Sequence, residues 1–361
     1  MKLLIIQPYL TKYRVPIFKE LNEYYDVSVV ASVDGSFGNI SKEELTVLKF
    51  RHLKERRFLS GRFIWQAGVL SALFKVRPKV VFMSANPRYL SLWLSLVVAK
   101  LFGMKVLLHG QGLYNKASPS IIHKIQYVLF SFFCEKYICY TDSCKESLSR
   151  TKIRNKAVVA DNSIDNKYPV EKITKYESGI LFIGRLRDGC KLNLLIKATN
   201  QLVYEGFPIT LHIVGGGGEL LKMQKKWVDY SHIKFYGEVY DSKKISEISK
   251  LCFTGCYPGD AGLSVLHYMS LSLPPIVHSS MDKHMGPEPS YINNGDNGLL
   301  FEKDSLRSLT DIIESLMGNN KALNDMQSSA FKTYQRITTP SLGLRIKKIV
   351  ENVVRGENEN S

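Results

Sequence analysis

Apolar and polar positions along the chain alternate between two periods. Lys2–Gln7 is a short, nearly solid apolar run, the pattern of a strand buried on both faces. Val15–Tyr24 then repeats apolar residues at helical spacing, and Val27–Ala31 is solid again. The same exchange predicts strands at Lys79–Met83, Lys105–Leu108 and Tyr137–Tyr140, with helices at Tyr89–Phe102 and Ser120–Phe133. Around Asp165–Ser178 the pattern breaks into polar residues with one proline. A second set follows, with strands at Gly179–Ile183, Thr210–Val214, Lys234–Tyr236, Leu251–Gly255, Pro275–His278 and Leu299–Phe301. Its helices fall at Leu192–Tyr204, Ser242–Ser249, Leu263–Leu271 and Leu306–Leu316, and a last amphipathic helix at Ser341–Val354. Strands that alternate with helices predict parallel sheets covered on both faces.

The break divides the chain into residues 1–168 and 169–338, followed by a C-terminal helix over 339–355 and a tail, 356–361, expected to be disordered. The total of 361 residues exceeds one ordinary core and suits two domains of ~150–200 residues each. A hydrophobic fraction of 45% with 23% charged residues excludes disordered and fibrous classes. The opening apolar run is too short for a signal peptide and reads as a first strand. The longest apolar stretch, Leu90–Ala99, is about half of the ~18–20 residues that a membrane span needs. It predicts a core helix or one lying on a membrane surface. The six cysteines, at 134, 139, 144, 190, 252 and 256, show no C-x-x-C spacing. Free thiols in a reducing cytoplasm are the expectation, with no metal site. Two α/β domains place a cleft between them at the strands' C-terminal ends, where ligands bind by rule.

Charge changes the picture in one half only. The formal net charge is +16, and residues 1–170 carry 26 Lys and Arg against 12 Asp and Glu. Between Glu55 and Glu135 there is no acidic residue and there are eleven bases, among Phe, Leu, Trp and Tyr. A basic face with apolar side chains suits an anionic membrane surface, where each base contributes ~1 kcal/mol. Nucleic acid is the competing anion, but the chain has no recognition motif for it. A solvated basic face that aids solubility is the plain alternative.

Five segments carry candidate chemistry. Ile183-Gly184-Arg185-Leu186 ends a strand, and Lys191 opens the next helix. Two cations beside helix N–H groups make a diphosphate site, or else two solvated surface bases. Gly215–Gly218 follows a buried strand and lets backbone approach a ligand or a neighbouring strand, or makes a plain tight turn. Tyr257–Ser264 (YPGDAGLS) leads into a helix with free N–H groups, and His267 lies one turn inside it as ligand contact, core or cap. His109, in KVLLHGQG, is expected just past a strand of the first domain, facing the cleft, where it donates to a sugar hydroxyl or is a plain loop histidine. Arg14, in the loop after the first strand, meets an anionic acceptor or pairs with a local acid.

Taken in order, the motifs resemble those of the GT-B glycosyltransferases of family 4, in particular bacterial enzymes that build O-antigen, capsule or exopolysaccharide. Gly184–Lys191 resembles the donor-phosphate Arg and Lys, with a gap one residue longer than usual. Gly262-Leu263…Met269…Pro274-Pro275-Ile276-Val277 and Gly286-Pro287-Glu288…Asn294–Leu299 resemble two further family segments. Tyr13-Arg14-Val15-Pro16 resembles an opening seen in a subset. The family carries two glutamates separated by seven residues that contact donor sugar and ribose; here Gly259 and His267 hold those places, with Asp260 beside the first.

The resemblance implies two Rossmann-like domains facing each other across a cleft, with the C-terminal helix packing back toward the first. It implies sugar transfer from a nucleotide-sugar with retention and without a metal or cofactor. Arg185 and Lys191 would neutralise the departing diphosphate, and His109 would contact the sugar. Gly184, Gly259, Asp260, Gly262, Leu263, Ser264, His267 and Glu288 would line the donor site. The acceptor would be a polyprenyl-diphosphate-linked glycan, and the protein would sit in the cytoplasm on the inner-membrane surface. Two alternatives are a nucleotide-sugar epimerase, for which no convincing acid/base pair is present, and a non-catalytic assembly protein, which the missing glutamates would suit.

Overall fold

A computed structural model describes residues 1–32, 40–114, 119–171, 178–318 and 320–356. Lys116 of the basic run and all but the first residue of the expected disordered tail lie outside them. The chain forms two compact units, residues 1–162 with 340–361, and residues 163–339. The first boundary falls six residues before the expected one, because the segment after Ser163 is bonded into the second unit. The Asn166 N–H donates to the Tyr334 hydroxyl at 3.2 Å and its side-chain amide to Ser270 Oγ at 2.8 Å.

The first unit contains β1 (Lys2–Tyr9), β2 (Asp26–Ser32), β3 (Arg51–His52), β4 (Lys54–Phe58), β5 (Phe63–Ala67), β6 (Val80–Ser84), β7 (Lys105–Gly110), β8 (Lys136–Cys139) and β9 (Ala157–Val159). Its helices are α1 (Val15–Asn22), α2 (Lys42–Val47), α3 (Val69–Val76), α4 (Leu90–Leu101), α5 (Ile121–Phe133) and α6 (Asp142–Ser147). Seven strands form a parallel sheet in the order β3-β2-β1-β6-β7-β8-β9. β4 and β5 stand apart as an antiparallel hairpin. The solid apolar run of β1 is explained by its central place, with Ile5 between Val29 and Phe82. Helices cover both faces, so Leu3, Leu4 and Ile5 are fully buried.

The second unit contains β10 (Gly179–Ile183), β11 (Thr210–Val214), β12 (Ile233–Gly237), β13 (Cys252–Cys256), β14 (Pro275–His278) and β15 (Leu299–Phe301). Between and after them run α7 (Leu192–Tyr204), α8 (Leu220–Lys226), α9 (Ser242–Ser249), α10 (Ser264–Ser270), α11 (Leu306–Met317) and α12 (Asn320–Thr338). The parallel order β12-β11-β10-β13-β14-β15 is the Rossmann order, which reverses direction between β10 and β13.

After α12 the chain re-enters the first unit as α13 (Leu342–Arg355). Ser341 caps this helix by accepting the Leu344 N–H at 3.1 Å, and its hydroxyl donates to the Glu20 carboxylate of α1. Leu342, Ile346, Ile349, Val350 and Val353 enter the same core as Phe18 and Leu21. All six cysteines are buried free thiols.

Candidate active site

The two central strands of the second unit part at their C-terminal ends, as a Rossmann switch point requires. Their last pair is Leu181 with Gly255. Beyond it the Tyr268 hydroxyl takes the Ile183 N–H at 2.9 Å and donates to the Cys256 carbonyl at 3.1 Å. The ring fits only because residue 255 is glycine: a Cβ there would lie 2.2 Å from it. Two loops leave this gap, and most of the expected site residues lie on them.

The loop after β10 carries Gly184, Arg185 and Lys191. A Cβ on Gly184 would stand 2.6 Å from the Tyr257 ring, which stacks on Phe182 at 5.2 Å. The Gly184 N–H bonds Val214 O at 3.0 Å, and the Leu186 N–H bonds Gly216 O at 2.7 Å. Gly215 and Gly217 have φ of 149° and 134°, and a Cβ on either would strike the backbone of this loop. The glycine run is therefore a close backbone approach to the neighbouring loop, one of its expected roles. Arg185 is exposed. Lys191 has a left-handed φ of 53° as the N-cap of α7. Its ammonium meets Asp304 at 3.3 Å with both side chains about half exposed, a pair of the kind that contributes ~0–1 kcal/mol.

The loop after β13 carries Gly259, Asp260, Gly262 and Leu263. A Cβ on Gly259 would lie 2.1 Å from Gly189 O and 2.7 Å from the Cys190 carbonyl carbon. The Gly189–Cys190 backbone of the Arg185–Lys191 loop thus presses against position 259, and no side chain fits there. Asp260 is held from behind: its Oδ1 faces His278 Nε2 at 3.3 Å and Lys303 Nζ at 3.4 Å. His278 stacks on His284, with centroids 3.9 Å apart. His284 Nδ1 accepts the Ala261 N–H at 3.0 Å, so its Nε2 carries the hydrogen and donates to His278 O at 2.9 Å. Burial pushes His284 down to about 4, reinforced by its histidine neighbour, which keeps this neutral tautomer at neutral pH.

Glu288 is buried in a 3₁₀ turn, Glu288–Tyr291, with its carboxylate against Gly286 and Gly262. Leu263 is the N-cap position of α10, and Ser264 opens the helix with its Oγ buried and unbonded among the described residues. His267 lies on α10, where burial pushes it down to about 4.

His109 sits in the first unit. It lies inside β7 rather than past the strand, because Ala85 N–H and the β6 and β8 registers hold it in the ladder. Its ring packs between Phe82 at 5.3 Å and Tyr140 at 4.4 Å, and burial, then Arg14, lowers its pKa well below the usual value. It lines a pocket of about 500 Å³ with Asn86, Arg88, Gln111 and Tyr140. Sequence reasoning missed Tyr268, His278, His284 and Lys303, which hold the loops in place. The local signal was the pair of histidines, one ending β14 and one six residues on.

Residues 163–333 match the family model described as glycosyl transferases group 1. No curated protein matches the chain. Among solved structures, the chain is similar to Anabaena Alr3699/HepE in complex with UDP, with a TM-score of 0.73, 14% identity, and 98% of this chain and 100% of that chain covered. The lipopolysaccharide outer core galactosyltransferase WaaB gives 0.66 at 15% identity, with 98% and 99% covered. The sucrose-phosphate synthase of Thermosynechococcus elongatus gives 0.69 at 12%, with 99% and 100% covered. The chain has the GT-B fold, and its second unit matches the group 1 glycosyl transferases over residues 163–333.

Proposed function

We propose that the protein is a retaining glycosyltransferase of the family 4 type. It moves a sugar from a nucleotide-sugar to a glycan on a polyprenyl-diphosphate carrier, in the synthesis of O-antigen, lipopolysaccharide, capsule or exopolysaccharide. The observation that carries the reading is the group 1 match lying on a Rossmann sheet whose first loop bears Arg185 and Lys191. HepE, of the same fold, is a complex with UDP-glucose in one structure, which supports a nucleotide-sugar donor.

The chemistry follows from the loops. Arg185 and Lys191 take the diphosphate as its bond to the sugar lengthens, so they bind the leaving group more strongly than the substrate. Lys191 exchanges a weak surface partner for a diphosphate. Glu288 and the Gly262–Ser264 turn hold sugar or diphosphate, and His267 replaces a family glutamate toward the ribose. With position 259 closed to any side chain, Asp260 stands in for the other glutamate, oriented by His278 and Lys303. His109 contacts a sugar hydroxyl. No metal or cofactor is invoked. The protein works in the cytoplasm at the inner-membrane surface, where its acceptor is anchored.

The test is nucleoside diphosphate release from a panel of nucleotide-sugars, with and without acceptor lipid. Arg185→Ala and Lys191→Ala should each lower the rate by ~10²–10³. Transfer that survives both substitutions undiminished rejects the diphosphate assignment.

A further inference from the structure

Arg14 lies just past β1 and is only 7% exposed. Its guanidinium meets ring faces, Tyr13 at 5.2 Å and Tyr140 at 5.6 Å. Among the described residues no carboxylate pairs with it and no acceptor takes its side-chain N–H groups. Of its two expected roles, pairing with a local acid is therefore not the one found. Arginine cannot escape burial by losing its proton. A cation in this position calls for an anion, and the described residues do not supply one.

Two side chains of the same unit add unbonded polar atoms. Thr11 Oγ1, one turn earlier, and His109 Nε2 are buried without a hydrogen-bond partner among the described residues. His109 shares the Tyr140 ring with Arg14, and both His109 and Tyr140 line the pocket of about 500 Å³ in the first unit. A fixed cation and a neighbouring unbonded hydroxyl, close to an imidazole that lines an open pocket, are the donor set of an oxyanion.

We propose that Arg14 and Thr11, beside His109, form an anion subsite of the first unit, which takes a phosphate oxygen of the acceptor. The proposal rests on the lipid-linked acceptor above for the source of that phosphate, and on the geometry alone for the anion.

Thermal unfolding of the full chain tests it, with inorganic phosphate and a short-chain prenyl diphosphate as probes. Wild type and an Arg185→Ala/Lys191→Ala double variant should both be stabilised by either anion. Arg14→Met should lose that stabilisation, and Arg14→Lys, which keeps the charge without the planar fork, should need about tenfold more anion. Without anion, Arg14→Met should melt no lower than wild type, since it removes an unpaired buried charge. Tighter binding of the prenyl compound supports a lipid-carrier phosphate, and equal binding supports a free phosphate. Stabilisation that Arg14→Met leaves intact, its absence in wild type, or anion-free melting of Arg14→Met several degrees lower overturns the proposal. The donor reading is scored separately, by nucleotide-sugar stabilisation that only the Arg185/Lys191 variant loses.

Discussion

At the scale of single residues, Gly259 shows how a departure from a family pattern becomes a packing fact. In sequence it reads as a lost carboxylate. In the structure the space for any side chain is filled by the Gly189–Cys190 backbone of the loop between Arg185 and Lys191. Gly259→Ala should cost about 1–3 kcal/mol through overpacking, which is several degrees in melting temperature for a unit of this size. It should also weaken donor binding, because relief requires the 188–190 turn to move, and Lys191 follows it. A variant that melts and binds donor as wild type does would show that the turn is not seated on residue 259.

At the scale of elements, the gap between β10 and β13 depends on one hydroxyl. Tyr268→Phe keeps the ring against Gly255 but strands the Ile183 N–H and the Cys256 carbonyl. Leaving such groups unmet costs about 1–3 kcal/mol. The loss should appear as faster amide hydrogen exchange at Ile183 relative to the middle of β10, and unchanged exchange there would refute the bridging role. Strands as solidly apolar as β1, β10 and β13 were legible in the sequence because central parallel strands are buried on both faces. α12 was not. Its buried Leu323, Met326, Ala330, Phe331 and Tyr334 do keep helical spacing, but Asn, Ser and Lys between them dilute the stripe. The β4–β5 hairpin was also missed, since Lys54–Phe58 exposes most of its charged residues and shows no clean alternation. In the site, the charged and glycine positions were readable as motifs. The supporting Tyr268, His278 and Lys303 were not, because only the fold brings them to the loops.

At the scale of the whole molecule, the acid-free stretch includes three helices with exposed apolar side chains. α3, α4 and α5 contain no carboxylate. Their exposed apolar side chains adjoin one another: Phe74 packs edge-on against Phe102 at 5.4 Å, and Lys100 lies over Phe132 at 5.3 Å. Ile121, Ile122 and Ile125 extend this exposed apolar surface along α5. No helix among the described residues is long and apolar enough to cross a membrane. The proposed membrane association thus takes the form of helices lying on the surface. Co-sedimentation should show binding to vesicles containing phosphatidylglycerol, weakening as salt rises, and little to pure phosphatidylcholine. Ile122→Glu with Phe132→Glu should abolish most of it while leaving the melting temperature intact. Equal binding to neutral vesicles, or retention by the double variant, would count against this face.

The return of α13 to the first unit makes the second unit an insertion within it. During synthesis, the segment that completes the first unit leaves the ribosome only after the whole of the inserted unit. Until then, Phe18 and Leu21 lack part of their cover, and the nascent chain presents an apolar surface that a chaperone would shield.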